Sequence, residues 1–293
     1  MDWVTRMNRA IDYIEEHLTE EVDYAALAQI TECSVSNFQR MFSFIVDEPL
    51  SEYIRNRRLT LAAFDIQQSG EKIVDLAFRY GYDSHDSFTR AFQRFHGVLP
   101  SQARKPGTRL KSRPRISFQI TIKGDQQMNY QIEEWGPFTI MGFKQNVAVK
   151  QAFEVIPGIW QNAQRDGRMQ RLFALWSQCD CRPAGLLGVC DGWNEEDQMD
   201  YYLAVTSCSA EAGQPAAKPK AALPEDMAAL DFPAATWVIF NSDGPAPTLT
   251  QEVYKRFYTE WLPNSGYEPA DLPAVECYLQ DNHQEVWIAI VKK

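Results

Sequence analysis

The chain has 293 residues, 45% of them hydrophobic and 12% aromatic, which is enough for two folded domains and excludes a disordered or low-complexity chain. It contains no run of about 18 apolar residues and no secretion signal at its start, so we expect a cytoplasmic protein with no membrane partner. The net charge of −10 argues against a nucleic-acid partner only on average: residues up to Arg115 carry 16 Lys+Arg and 16 Asp+Glu, so a basic face can exist there.

The six cysteines are irregularly spaced, and in a cytoplasmic chain we expect them to be reduced. Cys179, Cys181 and Cys190 have no histidine near them in the sequence. We therefore predict neither a metal site nor a cofactor.

The N-terminal part begins with an amphipathic helix over Trp3 to Leu18, where apolar residues recur with a period near 3.6. A local pattern then occurs twice, about fifty residues apart, which is typical of a repeated supersecondary unit. In each copy a Leu-Ala pair precedes a serine, a phenylalanine, an arginine and a second phenylalanine, and these are Leu27-Ala28, Ser34, Phe38, Arg40 and Phe42, then Leu76-Ala77, Ser84, Phe88, Arg90 and Phe92.

Each copy predicts a short helix, a tight turn and a second helix whose serine caps its start and whose arginine faces solvent. This is the layout of a helix-turn-helix, whose second helix enters the major groove of DNA. Two structural hairpins with solvated arginines are the alternative. Leu50 to Gln68, with Arg55, Arg57 and Arg58, predicts a longer helix that joins the two copies and ends at Ser69-Gly70.

Two stretches carry a resemblance to a known family: Ser34 to Phe42, and Tyr80 to Phe92 with Gly97-Val98-Leu99-Pro100 after it. They resemble the DNA-binding domain of AraC/XylS-type bacterial transcription regulators, over about Arg6 to Lys105. The resemblance implies an all-α double helix-turn-helix, similar to a pair of homeodomains, in a domain that we place at residues 1–106.

The same resemblance implies which residues meet DNA. Base contacts are implied for Ser36, Gln39 and Arg40 from the first recognition helix, and for His85, Asp86, Thr89 and Arg90 from the second. This agrees with the chemistry, because arginine suits guanine, glutamine suits adenine and a threonine methyl suits thymine. We expect phosphate contacts from Ser34, Ser84, Arg55 and Arg94.

Residues 107–127 contain Gly, Pro and basic residues and are interpreted as a linker, with a strand over Ile116–Ile122. The character of the chain then changes, since seven of the eight tryptophans follow. Strands and helices alternate in a pattern that favours an antiparallel α+β domain. The expected elements are a hairpin over Tyr130–Glu134 and Phe138–Val147, two helices within Phe153–Gln178, strands at Leu186–Cys190, Tyr201–Thr206, Ala228–Phe232 and Trp237–Phe240, a helix over Thr248 to Trp261, and a hairpin over Val275–Leu279 and Val286–Val291.

Three stretches of this half carry a second resemblance, and they are Gly136 to Gly142, Glu260 to Tyr267 and Val275 to Tyr278. Their order resembles the GyrI-like effector-binding domain of multidrug-sensing regulators, over residues 128–293. The resemblance implies a pseudo-two-fold repeat with a ligand cleft between the halves and an acid at its floor, which by position is Glu276.

A carboxylate among aromatic rings is costly to bury, so it either raises its pKa or receives a cation, and aromatic faces add cation–π attraction. The candidate walls of such a site are Trp261, Tyr278, Trp160, Tyr201 and Tyr254. An exposed strand carboxylate and ordinary aromatic core packing are the alternatives.

The sequence therefore predicts a bacterial transcription regulator, without enzymatic activity, that binds promoter DNA and is controlled by a small cationic or amphipathic ligand. RNA polymerase is a further expected partner. Two alternatives assign the second half another role, either as a hydrolase of reactive small molecules or as a protein-interaction module.

Overall fold

A computed structural model describes residues 3–119, 127–176, 181–194, 198–209, 223–244, 248–279 and 282–293. The chain forms two compact units. The first contains Met1–Phe38 and Val46–Ile120, and the second contains Gln39–Ile45 and Thr121–Lys293.

The N-terminal part is helical, as predicted. Its helices are α1 (Trp3–Glu16), α2 (Tyr24–Thr31), α3 (Val35–Val46), α4 (Leu50–Gln68), α5 (Ile73–Arg79), α6 (His85–His96) and the short α7 (Pro100–Ala103). The predicted serine caps are confirmed, because Ser34 Oγ accepts from the Asn37 N–H at 3.2 Å and Ser84 Oγ from the Ser87 N–H at 3.1 Å. These caps fix where α3 and α6 begin.

Most of the apolar residues shared by the two copies of the repeat are buried. Leu76, Ala77, Phe88 and Phe92 are buried together against α4, and Leu27, Phe38 and Phe42 are also fully buried. The period of the apolar residues thus predicted the inward faces of these helices correctly.

A buried ion pair joins α1 to α4. Arg57 donates from Nε and Nη2 to the two carboxylate oxygens of Glu15, at 2.8 and 2.6 Å, and the Tyr53 hydroxyl donates to the same carboxylate at 2.8 Å. Burial raises the pKa of Glu15, but the hydrogen bonds from Arg57 and Tyr53 outweigh it, so that the pKa lies below its usual value.

The strand expected over Ile116–Ile122 is wrong for its described residues, 116–119, which have no strand assignment. Their backbone groups are bound by side chains instead of a neighbouring strand: the Ile116 N–H donates to the Tyr53 hydroxyl at 3.3 Å, and Phe118 exchanges two hydrogen bonds with the Asn8 amide. The remainder of that prediction lies outside the described residues.

We predict that Glu15→Gln lowers the free energy of unfolding of the helical part by about 3 kcal/mol, because it leaves a buried guanidinium without its countercharge. Glu16→Gln is the matched control, since Glu16 is exposed on the same helix. Urea unfolding followed by the helical circular dichroism signal measures both. The difference between the variants should shrink as the pH falls through the pKa of Glu15, and equal stabilities at neutral pH would contradict the role of the pair.

The second unit is built on one antiparallel sheet. Its strands in the described residues are β1 (Tyr130–Trp135), β2 (Phe138–Ala148), β3 (Leu186–Asp191), β4 (Gln198–Ser209), β5 (Ala228–Phe232), β6 (Ala235–Asp243), β7 (Tyr267–Pro269), β8 (Val275–Tyr278) and β9 (His283–Lys292). The order across the sheet is β1-β6-β9-β8-β3-β4-β2-β5, and β7 pairs with β9.

This order reads the same from either edge when β1, β2, β3 and β4 are matched with β5, β6, β8 and β9. The expected pseudo-two-fold repeat is thereby confirmed, and its two halves meet where β3 pairs with β8. The closing hairpin of β8 and β9 is also confirmed.

The hairpin predicted around Gly136-Pro137 is wrong. β2 already has β4 and β5 as its two neighbours, so β1 cannot pair with it and pairs with β6 in the other half. The first strand of each half therefore extends the sheet of the opposite half, which no short-range pattern in the sequence indicates.

The helical segments of this unit connect strands within each half. They are the 3-10 turn Val149–Gln151, α8 (Ala152–Arg165), α9 (Arg168–Trp176), α10 (Thr248–Arg256), a π-helical turn (Phe257–Trp261) and the short α11 (Leu262–Asn264).

Contrary to the expectation that all cysteines are reduced, Cys181 is disulfide-bonded.

Candidate functional site

Glu276 lies on β8 at the junction of the two halves. Its backbone is opposite Gly188 on β3 and Val286 on β9, so the residue lies on the strand where the sheets of the two halves join. The Tyr278 hydroxyl donates to Glu276 Oε2 at 2.7 Å, and the Tyr254 hydroxyl, from α10, is a second hydrogen-bond partner of the same carboxyl group.

The surroundings of Glu276 change its acidity. Loss of hydration raises the pKa of Glu276 to about 7, although the hydrogen bonds from Tyr278 and Tyr254 act in the opposite direction. The carboxyl group therefore exchanges a proton near neutral pH. Burial and the nearby carboxylate also raise the pKa values of Tyr201, Tyr254 and Tyr278, which keeps these phenols neutral hydrogen-bond donors.

Two further predicted wall residues join this group. The Trp160 indole, on α8, donates from Nε1 to the Tyr201 hydroxyl at 2.7 Å, and its ring meets Tyr278 edge-on with centroids 4.7 Å apart. The structure thus brings together the acid and four of the five aromatic residues expected around it.

Gly188 makes room for this arrangement. A Cβ atom at this position would lie 2.7 Å from the Tyr201 hydroxyl and 3.2 Å from Glu276 Oε2. The first distance is shorter than a nonbonded contact allows, so a side chain at position 188 requires Tyr201 or the backbone to shift.

A cavity opens onto the acid, and its lining is largely apolar. Besides Glu276, Tyr254 and Tyr278 it is lined by Ser43, Phe44, Val149, Ala152, Ile156, Pro157, Cys190, Trp193, Met199, Thr250 and Gln251. Sequence reasoning missed most of these residues, because an apolar side chain facing a cavity follows the same periodicity as one facing a core. Burial raises the pKa of the Cys190 thiol, so the cavity presents a neutral thiol.

The structure does not bring Trp261 to the acid. Its ring instead packs against Phe257, at 5.5 Å between centroids, and against Tyr130, Phe240 and Tyr267. In a regular α-helix Trp261 would share a face with Tyr254, seven residues earlier. The π-helical turn Phe257–Trp261 has more residues per turn, which rotates Trp261 away from that face.

We predict that Gly188→Ala lowers the free energy of unfolding of the second unit by about 1–3 kcal/mol through overpacking. Gly158→Ala is a control with the opposite sign: Gly158 is in α8 and a Cβ there meets nothing within 4 Å, so alanine should stabilise by about 0.5–1 kcal/mol. Tryptophan fluorescence during urea unfolding reports on this unit. An unchanged free energy of unfolding in Gly188→Ala would contradict the tight fit at this position.

The second recognition helix, α6, presents its predicted DNA-contacting face to solvent. Ser84, His85, Asp86, Arg90 and Arg94 are exposed. Thr89 is partly buried beside them. One face of α6 is therefore available for a groove, as the helix-turn-helix pattern predicts.

The first recognition helix, α3, differs from the prediction that its arginine faces solvent. Gln39 and Arg40 are only 5% and 8% exposed, and Ser36 is partly buried. Arg40 Nη2 donates to the Leu272 carbonyl at 3.1 Å, which gives the buried guanidinium a hydrogen-bond partner. Arg55, on α4, is engaged by the neighbouring carboxylate of Glu52.

Two known families match the chain. The GyrI-like small molecule binding domain matches residues 128–290, and a helix-turn-helix domain matches residues 27–106. The first match covers more than half of the chain, and the second covers both copies of the repeated pattern.

Curated relatives resemble the N-terminal part. The transcriptional activator AarP of Providencia stuartii is 36% identical over 96 residues, which are 33% of this chain and 71% of AarP. The regulatory protein SoxS of Salmonella typhimurium is 36% identical over 94 residues, 32% of this chain and 88% of SoxS. The multiple antibiotic resistance protein MarA of Escherichia coli is 32% identical over 103 residues, 35% of this chain and 81% of MarA.

Among solved structures, SAV2435 bound to tetraphenylphosphonium is 20% identical and covers 56% of this chain and 94% of its own, with a TM-score of 0.44. The DNA-binding domain of AdpA in complex with a target DNA is 23% identical and covers 36% of this chain and 91% of its own, with a TM-score of 0.32.

The helix-turn-helix copies and the ligand-binding domain together define a DNA-binding transcription regulator with a small-molecule site. The chain belongs to the AraC-type regulators that carry a GyrI-like domain. No helix in the described ranges is long and apolar enough to cross a membrane, and those ranges contain no group of three or more metal-ligating side chains.

Proposed function

We propose that the ligand of this regulator is a lipophilic cation and that Glu276 binds its charge. The observation that carries the proposal is a buried carboxyl group in the lining of a largely apolar cavity, with no cationic side chain among the residues that line it. A buried carboxylate without a countercharge is costly, and a cationic ligand supplies that charge.

The aromatic residues extend this site. Tyr278 and Trp160 meet edge-on, and Tyr278 and Tyr254 both hydrogen-bond the acid, so a charge bound at the carboxylate lies near aromatic rings. Cation–π attraction of about 0.5–2 kcal/mol per ring then adds to the ion pair without any hydrogen-bond donor on the ligand. The site therefore tolerates cations of different shapes.

We predict that the affinity for tetraphenylphosphonium, which has no titratable group, rises about tenfold between pH 6 and pH 8. The reason is that the pKa of Glu276 is about 7 before binding, so a proton competes with the cation at the lower pH. Isothermal titration calorimetry over this range measures the effect and the accompanying release of protons.

The variant Glu276→Gln should bind the cation weakly and without pH dependence. Glu252→Gln is the matched control, because Glu252 is exposed on α10 in the same domain. This substitution also replaces a glutamate with glutamine, but outside the proposed site. Wild-type affinity in Glu276→Gln would defeat the proposal. Glu276-dependent hydrolysis of an electrophilic compound would instead favour the hydrolase alternative.

For DNA we propose that base contacts come from Ser36, Gln39, Arg40, His85, Asp86, Thr89 and Arg90 and phosphate contacts from Ser34, Ser84, Arg55 and Arg94. The exposed face of α6 supports the contacts proposed for the second recognition helix. Asp86 can contact only some bases, since a carboxylate is repelled by phosphate and accepts hydrogen bonds only from the amino groups of cytosine or adenine.

Arg90→Ala should weaken binding to specific sites, obtained by genome-wide mapping of bound DNA, by about 1–3 kcal/mol and relax specificity at one base pair. Arg94→Ala should instead weaken binding to all duplexes and lower the salt slope by about one. Fluorescence anisotropy at several salt concentrations separates the two effects. Identical behaviour of both variants would contradict the assignment of roles.

We also propose where the regulator acts and with which protein. The chain acts in the cytoplasm without enzymatic activity, and RNA polymerase is its partner at the promoter. The helix-turn-helix relatives support a role at promoters, because AarP is a transcriptional activator and SoxS a regulatory protein.

A further inference from the structure

The segment 39–45 of α3 belongs to the same compact unit as the acid site. Its residues Ser43 and Phe44 line the cavity that opens onto Glu276. The Phe44 ring stacks on the Tyr254 ring with centroids 4.2 Å apart and planes 15° apart. One face of an aromatic residue beside the acid is therefore already covered by a side chain of this segment.

The same segment carries two of the proposed base-contacting residues. Arg40 is held by the Leu272 carbonyl, and both Gln39 and Arg40 are buried. A guanidinium bound to a carbonyl and shielded from solvent cannot place its fork against guanine. In this state the first recognition helix is closed to DNA.

We infer that an aromatic cation in the cavity competes with Phe44 for the face of Tyr254 and so exposes Gln39 and Arg40. The inference rests on the proposed cation site and adds the direction of regulation. Because the cation binds better when Phe44 has left Tyr254, and DNA is read only when Gln39 and Arg40 are exposed, ligand and DNA favour the same state.

This linkage makes the effector raise the affinity for DNA. A stacked aromatic pair contributes enough that its loss changes the equilibrium about two- to tenfold. Tyr254 connects the two events physically, since the same side chain stacks on Phe44 and hydrogen-bonds Glu276.

The test measures the accessibility of position 39 in the full-length chain. In a Gln39→Cys variant, the rate of maleimide labelling is followed by peptide mass spectrometry, which separates this site from the native cysteines. Gln93→Cys is the control for a fully accessible site, because Gln93 is exposed on α6. We expect slow labelling at position 39 without ligand and a two- to tenfold faster rate with saturating tetraphenylphosphonium.

A second arm needs no ligand. Phe44→Ala, added to Gln39→Cys, should speed labelling about two- to tenfold by itself. Phe78→Ala, the control, removes a phenylalanine that is 58% exposed and should change nothing.

The outcomes distinguish a failure of the closed recognition helix from a failure of the proposed ligand class. Labelling at position 39 as fast as at position 93 without ligand, or unchanged labelling in Phe44→Ala, overturns the inference whatever the ligand. A rate that stays slow while the cation is bound also overturns it. Absence of any binding of the cation, with faster labelling in Phe44→Ala, defeats the proposed ligand class and retains the closed recognition helix.

Discussion

The candidate ligand site of the second unit is organised around one hydrogen-bonded carboxyl group. Glu276 stands where β3 and β8 join the two halves of the sheet, and tyrosine hydroxyls from β8 and α10 hold it. Loss of hydration raises the pKa of this carboxyl group, and these hydrogen bonds oppose that rise. With them its pKa stays near neutrality, where a cation can replace the proton.

The packing around this group follows from the same constraint. Gly188 leaves the space that Tyr201 needs, and Trp160 fixes the Tyr201 hydroxyl. The palindromic strand order brings these residues together from both halves, although they are far apart in the chain. The site is therefore a product of the repeat, and neither half contains it alone.

The sequence predicted the parts of this protein that depend on local patterns. The helix caps at Ser34 and Ser84, the buried phenylalanines of the repeat and the β8–β9 hairpin follow from side-chain chemistry and periodicity within a few residues. The position of Glu276 among aromatic residues came from a resemblance, and its contacts agree with that expectation.

What local patterns could not predict depends on tertiary structure. β1 pairs with β6 of the other half because β2 already has β4 and β5 as its neighbours. The displacement of Trp261 results from a π-helical turn, for which the sequence carries no recognised signal. The buried Arg40 hydrogen-bonds a carbonyl 232 residues away, which no spacing rule indicates.

We expect a cation bound at Glu276 to control DNA binding. The most direct test is the dissociation constant for a mapped promoter duplex, with and without saturating tetraphenylphosphonium, in the wild type and in Glu276→Gln. We predict tighter DNA binding with the cation in the wild type and no change in the variant. An equal response of both proteins, or none in a wild type that binds the cation, would contradict it.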